Sequence, residues 1–273
     1  MTIAIIVCYF GRLPWYFKFF LFSCSYNQTV DFFIVTDDSS YNNQFPSNVH
    51  AVYRTLGEIN KMASLKFDLD VKIENGYKFC DFKPAYGFLF SEIITGYDFW
   101  GYGDIDVIYG NIRNFMTTSL LTEYDLISIR PDWIPGCFSL FRNTEKMNTI
   151  FMESKDYKKV FSVNRHLCFD ETNFQHDQFS EGKKYYEIPS EIESMMHVVK
   201  RLELQKYIKV YFNLHIIEGR PGKLKWNKGV LIYRNEYEVI LYHLIKLKTV
   251  FHLKKPPTLI PHLFYISPTR IYS

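Results

Sequence analysis

Five cysteines in 273 residues, odd in number, far apart and without a CxxC pair, exclude a disulfide frame and argue against a thiol zinc site. They read as reduced thiols, each behaving as a small hydrophobe. No apolar run reaches the roughly 20 residues that a membrane-spanning helix needs. IAIIVCYF at 3–10 is too short, and so is WYFKFFLFSC at 15–24, which also carries Lys18. The opening MTIAIIVCYFG lacks a basic n-region, so it reads as a strand rather than a secretion signal. Charge of one sign is scarce too: a net +3 with scattered basic residues gives no nucleic-acid footprint, although an anionic small ligand fits. Neither GxGxxG nor GxxxxGK[ST] follows the first strand, which argues against a nucleotidyl- or phosphoryl-transferase built on a glycine-rich phosphate loop. There is no internal repeat or low-complexity tract. What is abundant is apolar and aromatic: 47% hydrophobic, with 25 Phe and 21 Tyr. That is ample for a large core, with rings to spare for stacking on flat ligands or sugars.

The order of patterns points to an α/β chain. The β-branched run at 3–10 reads as a strand covered on both faces, followed by a helix over 14–26 with Pro14 in its first turn. VDFFIVTDD at 30–38 is a second buried strand, VHAVYR at 49–54 a third, and 55–67 a weak helix. Such a β-α-β-α-β start predicts a doubly wound sheet with helices on both faces. A helix is expected over 78–95, a strand over 99–110, a helix over 111–123, strands at 125–130 and 137–142 around the loop 131–136, and helices within 144–162. The region 170–200 is polar and loop-rich. Residues 207–234 read as a hairpin about EGRPGK, 236–248 as a late helix or a strand-to-helix passage, and the Pro-rich tail 251–273 as an irregular surface wrap. One domain is expected, with 1–110 as a nucleotide-binding half and 111–250 as an acceptor half.

Within DFWGYGDIDVIYG (98–110), Asp104 and Asp106 interrupt an apolar, aromatic strand. In an extended strand, residues two apart share a face, so the two carboxylates stand side by side and repel unless a cation or water intervenes. Ligand sites of open α/β sheets lie at the carboxyl ends of strands, and hard oxygen ligands suit Mg²⁺ or Mn²⁺. A bare DxD is common, and solvated turn acids are the plain alternative. The glycines at 101, 103 and 110, which permit close backbone approach, favour the metal.

The stretch KFCDFKPAYGFLFSEIITGYDFWGYGDIDVIYG, with YFGRLPWYFKFFLFSC, GCFSLFRN (136–143), FDE (169–171) and HLIKLK (243–248), resembles a bacterial group of sugar-transferase-like proteins of the GT-A glycosyltransferase fold. The resemblance implies a GT-A-like, Rossmann-like doubly wound mixed sheet. It further implies a divalent ion, Mn²⁺ or Mg²⁺, held by Asp104, Asp106 and His243 against the diphosphate of a nucleotide-sugar donor, with Lys246 and Lys248 on the same phosphates. Asp37, in competition with Asp38, would bind the ribose or base, Tyr9 would stack on the base, and Asp81 and Lys83 would face the donor. Asp170 and Glu171 would serve as general base or stabilising carboxylate. Each has a plain alternative: a capping His243, solvated lysines, an exposed turn acid, a core Tyr9, a surface pair at 81 and 83, and a helix N-cap at Asp170. Trp133 is an acceptor platform or core, and His166, His176 and Asp177 are at most rim.

The expected activity is transfer of a hexose to a saccharide or lipid-linked acceptor, as in cell-surface polysaccharide synthesis. A non-catalytic nucleotide- or carbohydrate-binding protein with a degenerate site is the alternative. A cytoplasmic location is expected, at or near the inner face of the membrane. The tail, with Lys254, Lys255, Phe264, Tyr265 and Arg270, is weighed as a contact for anionic lipid, but without an amphipathic period surface wrapping is preferred.

Overall fold

The computed structural model describes residues 1–41, 45–219, 222–253 and 259–273. Strands β1 (Ile3–Tyr9), β2 (Val30–Thr36), β3 (Val49–Tyr53), β4 (Phe99–Gly103), β5 (Val107–Tyr109), β6 (Leu126–Ser128), β7 (Phe138–Arg142) and β8 (Val210–Phe212) follow in chain order. All except β5 form one mixed sheet, ordered β3-β2-β1-β4-β7-β6-β8. β1 pairs in parallel with both β2 and β4, while β7 runs antiparallel to β4 and β6. Alternate residues of β1 feed two separate cores, Ala4 and Ile6 on one face and Ile3, Ile5 and Val7 on the other. This is why the strand is apolar without interruption. The helix Phe17–Cys24 covers the second face, and the helices Leu56–Phe67 and Met195–Leu204 cover the first. The second of these three starts on a capping box, Thr55 with Glu58, which gives a segment of weak periodicity a defined N-terminus.

Four sequence expectations are corrected. Residues 78–95 are not one α-helix: Lys78–Ala85 is a 3-10 helix and Tyr86–Leu89 a single α-turn. Pro84 removes a backbone donor there, and Gly87 is pressed so close to Trp100 that a β-carbon would lie 2.4 Å from the indole. The expected strand 99–110 breaks at Asp104, so that β4 stays in the large sheet while β5 enters a three-stranded one, β5-β13-β9. That smaller sheet uses β9 (Ile216–Glu218) and β13 (Leu241–His243).

The hairpin about EGRPGK is also absent as drawn, although Arg220 and Pro221 lie outside the described residues. β9 and β10 (Leu224–Asn227) on either side of it belong to different sheets, and β10 turns through Lys228 and Gly229 into β11 (Val230–Tyr233) instead. Finally, the tail is more ordered than its prolines suggest. β14 (Leu263–Ile266) and β15 (Ile271–Tyr272) join β10, β11 and β12 (Tyr237–Glu238) in a five-stranded sheet, with Phe264 buried against Trp226. Lys254 and Lys255 lie outside the described residues. No helix among the described residues is long and apolar enough to cross a membrane.

Candidate functional site

After β3 the chain crosses over β1 to form β4, so the strand order reverses between these two neighbours, and ligand clefts open at such a reversal beyond the carboxyl ends of the strands. A cavity of about 710 Å³ lies there, lined by Cys8 and Tyr9 at the end of β1, Phe10 just after it, and Asp104, Ile105 and Asp106 after β4. Its size suits a small-molecule ligand.

The break at Asp104 brings in residues far away in sequence. β13 pairs antiparallel with β5, setting His243 opposite Val107, and the Leu244 amide donates to the Asp106 carbonyl at 2.8 Å. The parallel partner of β13 sets Glu218 beside His243. Asp104, Asp106 and His243 thus offer ligand atoms that all lie within 4.8 Å of one another. The acids do converge, though through the interruption between β4 and β5 and not through the two-residue repeat of one strand.

His243 Nε2 is 3.4 Å from Asp106, and its Nδ1 is 3.0 Å from Glu218. Lys248, on the turn Leu247–Val250, also pairs with Asp106. Burial acts to raise the Asp106 pKa, but the hydrogen bond and charge of His243, with Lys248, outweigh it and hold this carboxyl well below the ordinary range. Burial acts to lower His243, yet Cys137, Asp106 and Glu218 together push it well above the usual imidazole value.

Lys83 and Asp81 part company. With three residues per turn in the 3-10 helix, Lys78 and Asp81 stack on one side, while Lys83 is directed elsewhere. Asp81 is fully buried and lies outside the cavity lining, which corrects its expected place at the donor. It pairs with Lys78 at 2.8 Å and accepts from the amides of Leu167 and Phe169, each at 2.9 Å. It is therefore a pin that fixes the strip leading to Asp170. Lys83 does line the cavity, donating to Asp104 at 2.7 Å and to the Gly136 carbonyl at 2.9 Å, with Asp170 at 3.8 Å. Burial acts to lower this lysine, but Asp104 leads the interactions that raise it well above its ordinary value.

Asp170 and Glu171 line the same cavity. Asp170 is buried with Oδ1 unpartnered, and desolvation, supported by Glu171, Asp81 and Asp104 against the opposing charge of Lys83, raises its pKa well above the carboxylate range. Glu171 differs: burial acts to raise it, but the His176 ring at 2.8 Å and the Gly136 amide outweigh that and hold it below its usual value. Gly136 sits among all three groups, and a β-carbon there would come within 2.8 Å of Asp170, 3.1 Å of Lys83 and 3.2 Å of Glu171. Trp133 is also part of the wall, sandwiched between the Arg130 guanidinium at 3.5 Å and the His176 ring.

Two other expected contacts fall outside this cavity. Asp37 accepts from the Gly11 amide at 2.7 Å, Asp38 accepts from Leu13 at 2.8 Å, and both line a smaller pocket of about 470 Å³ with Gly11, Arg12 and Ser40. Lys246 is exposed and absent from the cavity wall, because the short turn that directs Lys248 inward leaves it outside. Tyr9 lines the cavity and is half-buried. Glu218 carried no signal in the sequence, since only strand pairing places it on His243. His166 and His176, read as rim, line the wall, whereas Asp177 does not.

No curated protein matches the chain. Among solved structures it is similar to the apo form of the glycosyltransferase GlyE of Streptococcus pneumoniae TIGR4, at 11% identity and a TM-score of 0.40, over 78% of this chain and 45% of that one. The chain thus spans under half the length of that protein. It is also similar to apo mouse xyloside xylosyltransferase 1, at 8% identity and a TM-score of 0.45, over 89% of this chain and 97% of that one. At the level of sequence, residues 5–273 match one family, so the chain belongs to the family of unknown function DUF6625.

Proposed function

We propose that this chain is a metal-dependent glycosyltransferase that moves a hexose from a nucleotide diphosphate sugar to a saccharide or lipid-linked acceptor. The observation that carries the reading is the convergence of Asp104, Asp106 and His243 on one cavity at the strand-order reversal. The donor set fits a divalent ion. Two carboxylates supply hard oxygens, and a carboxylate on the far nitrogen of His243 is the partner that orients a metal-ligating imidazole through Nδ1–H and frees Nε2. Such an ion acts as a Lewis acid on the leaving diphosphate. Lys248, which pairs with Asp106, would be the cation nearest a phosphate oxygen of a bound donor, and Lys83 keeps Asp104 oriented. Tyr9 contacts the nucleoside, and Asp37, beside Gly11, serves its ribose only if the donor extends past the larger cavity. Glu171, on the cavity wall with its carboxyl held below its usual pKa, is the proposed base or stabilising carboxylate, and Asp170, whose carboxyl is raised, is the hydrogen-bonding partner of donor or acceptor. Residues 1–110 and 111–250 act as nucleotide and acceptor halves of one domain, with His243 and Lys248 reaching back to the diphosphate.

One observation favours a second reading. Both acids already have cationic partners, Asp104 in Lys83 and Asp106 in Lys248 and His243, so the site is charge-compensated as it stands. A binding protein without turnover meets that description. Screening nucleotide sugars for Mn²⁺-dependent hydrolysis decides between the two. Hydrolysis that Asp104→Asn abolishes supports the transferase, whereas nucleotide binding without turnover for any sugar supports the binder.

A further inference from the structure

We propose that Cys168, Glu171 and His176 form a second metal site, of zinc type, in the same cavity and distinct from the acid pair. This departs from the sequence reading of Cys168 as a plain small hydrophobe. Three atoms form a triangle with every edge fixed: Cys168 Sγ to Glu171 Oε2 at 3.7 Å, Cys168 Sγ to His176 Nε2 at 3.9 Å, and Nε2 to Oε2 at 2.8 Å. Tetrahedral zinc, with bonds of about 2.3 Å to sulfur and about 2.0–2.1 Å to nitrogen or oxygen, requires edges of roughly 3.6 Å to sulfur and roughly 3.3 Å between nitrogen and oxygen. The two edges to sulfur lie within about 0.3 Å of that, and the edge between nitrogen and oxygen is about 0.5 Å shorter. The shortest edge is the one now closed by the hydrogen bond between His176 Nε2 and Glu171 Oε2.

The surroundings supply what a bound ion needs next. The loop that carries the ligands is closed on itself, with the Asn173 amide donating to the Cys168 carbonyl at 2.8 Å and the Asn173 side chain donating to Leu167 at 2.7 Å. Cys168, Asn173 and Phe174 all hold left-handed φ angles, of 50°, 53° and 63°. Asparagine visits that conformation readily, whereas Cys168 and Phe174 are held there by their surroundings. His166, Cys168 and Asp170 form a neighbouring group that shares Cys168, with ligand atoms within 4.8 Å of one another, and Asp170, buried in the cavity wall, has Oδ1 without a partner.

Ligand chemistry separates the two sites. Thiolate and imidazole select zinc, cobalt or a similar borderline ion, while the carboxylate-rich set at Asp104 and Asp106 suits Mg²⁺ or Mn²⁺. On binding, the Cys168 S–H bond breaks, a metal–sulfur bond forms and the proton passes to solvent. His176 coordinates through Nε2 as neutral imidazole protonated on Nδ1. The bound ion occupies Glu171 Oε2, so zinc inhibits any turnover that uses Glu171. That consequence rests on the proposed reaction, and the binding itself does not.

Cobalt(II) titration of the full chain without manganese tests the site through the near-ultraviolet thiolate-to-cobalt charge-transfer band. The band is expected to saturate at about one equivalent and to disappear on zinc addition. It is expected to vanish in Cys168→Ser and to persist in Asp104→Asn, so its failure is distinguishable from failure of the transferase reading. His176→Gln, at a more exposed ligand, is the second variant should Cys168→Ser not fold, and is expected to weaken cobalt binding at least about tenfold. Absence of the band, or its survival in Cys168→Ser, overturns the proposal. Loss of the band in Cys137→Ser with retention in Cys168→Ser overturns it too, by assigning the metal to Cys137, Glu218 and His243.

Discussion

Lys78→Met tests whether the pin beneath the site is as important as its burial implies. Lys78 and Asp81 are both fully buried, and the lysine donates to Asp81 and to the carbonyls of Val160 at 2.7 Å and Arg165 at 3.1 Å. Methionine keeps the apolar stem and removes the charge. Asp81 then stays buried with only His166 and the Leu167 and Phe169 amides for company, and two carbonyls lose their donor. Removing one partner of a buried ion pair costs about 3–5 kcal/mol, because the other charge is left uncompensated.

The two partners do not respond alike. Burial pulls Lys78 below its ordinary pKa despite Asp81, whereas burial of Asp81 is outweighed by His166 and Lys78, which hold that carboxyl low. The carboxylate is thus the better-satisfied member, and its ionisation governs the pair in acid. Since the folded-state pKa of Asp81 is depressed, its stabilisation is present above the unfolded value of about 3.9 and is lost as pH falls through the lower folded value. Urea denaturation of parent and Lys78→Met at pH 7 and again below pH 4 reads both effects. The expected gap is about 3–5 kcal/mol at neutral pH, narrowing in acid. A gap below about 1 kcal/mol at pH 7 refutes the assignment of the pair as a structural pin.

Glu218→Gln, which removes the carboxylate that orients His243 and also pairs with Arg130, is expected to weaken manganese binding by about 10–100-fold; calorimetry measures it. Asp170→Asn removes a carboxyl whose folded pKa is raised, and such a group stabilises below its unfolded value of about 3.9 and loses that contribution as pH rises toward the folded value. The variant should therefore gain on the parent in urea midpoint between pH 4 and pH 7; a constant difference across that range contradicts the raised pKa.

The parts of the fold that were legible in the sequence are those where burial is local. β1 and β2 are apolar runs because each is covered on both faces, and such a pattern is visible in one short window, whereas the edge strand β3 is buried only at Val49. The grouping of Asp104 with Asp106 and His243 was legible through motifs, but its cause was not. The strand is interrupted after Gly103 and β13 pairs with β5, a contact spanning more than a hundred residues that leaves no trace in local composition. The resemblance puts Asp81 and Lys83 together at the donor; in the 3-10 helix Asp81 instead pairs with Lys78, three residues back, and only Lys83 reaches the cavity. Glu218 and the tail strands owe their places to pairing register, which local propensity does not encode.

The most direct test of the metal centre is a crystal of the full chain soaked in manganese, examined by anomalous diffraction. The account expects a peak between Asp104, Asp106 and His243 Nε2, with Lys248 withdrawn from Asp106. A site in which Lys83 and Lys248 keep their present partners, with no peak beside either aspartate, contradicts it.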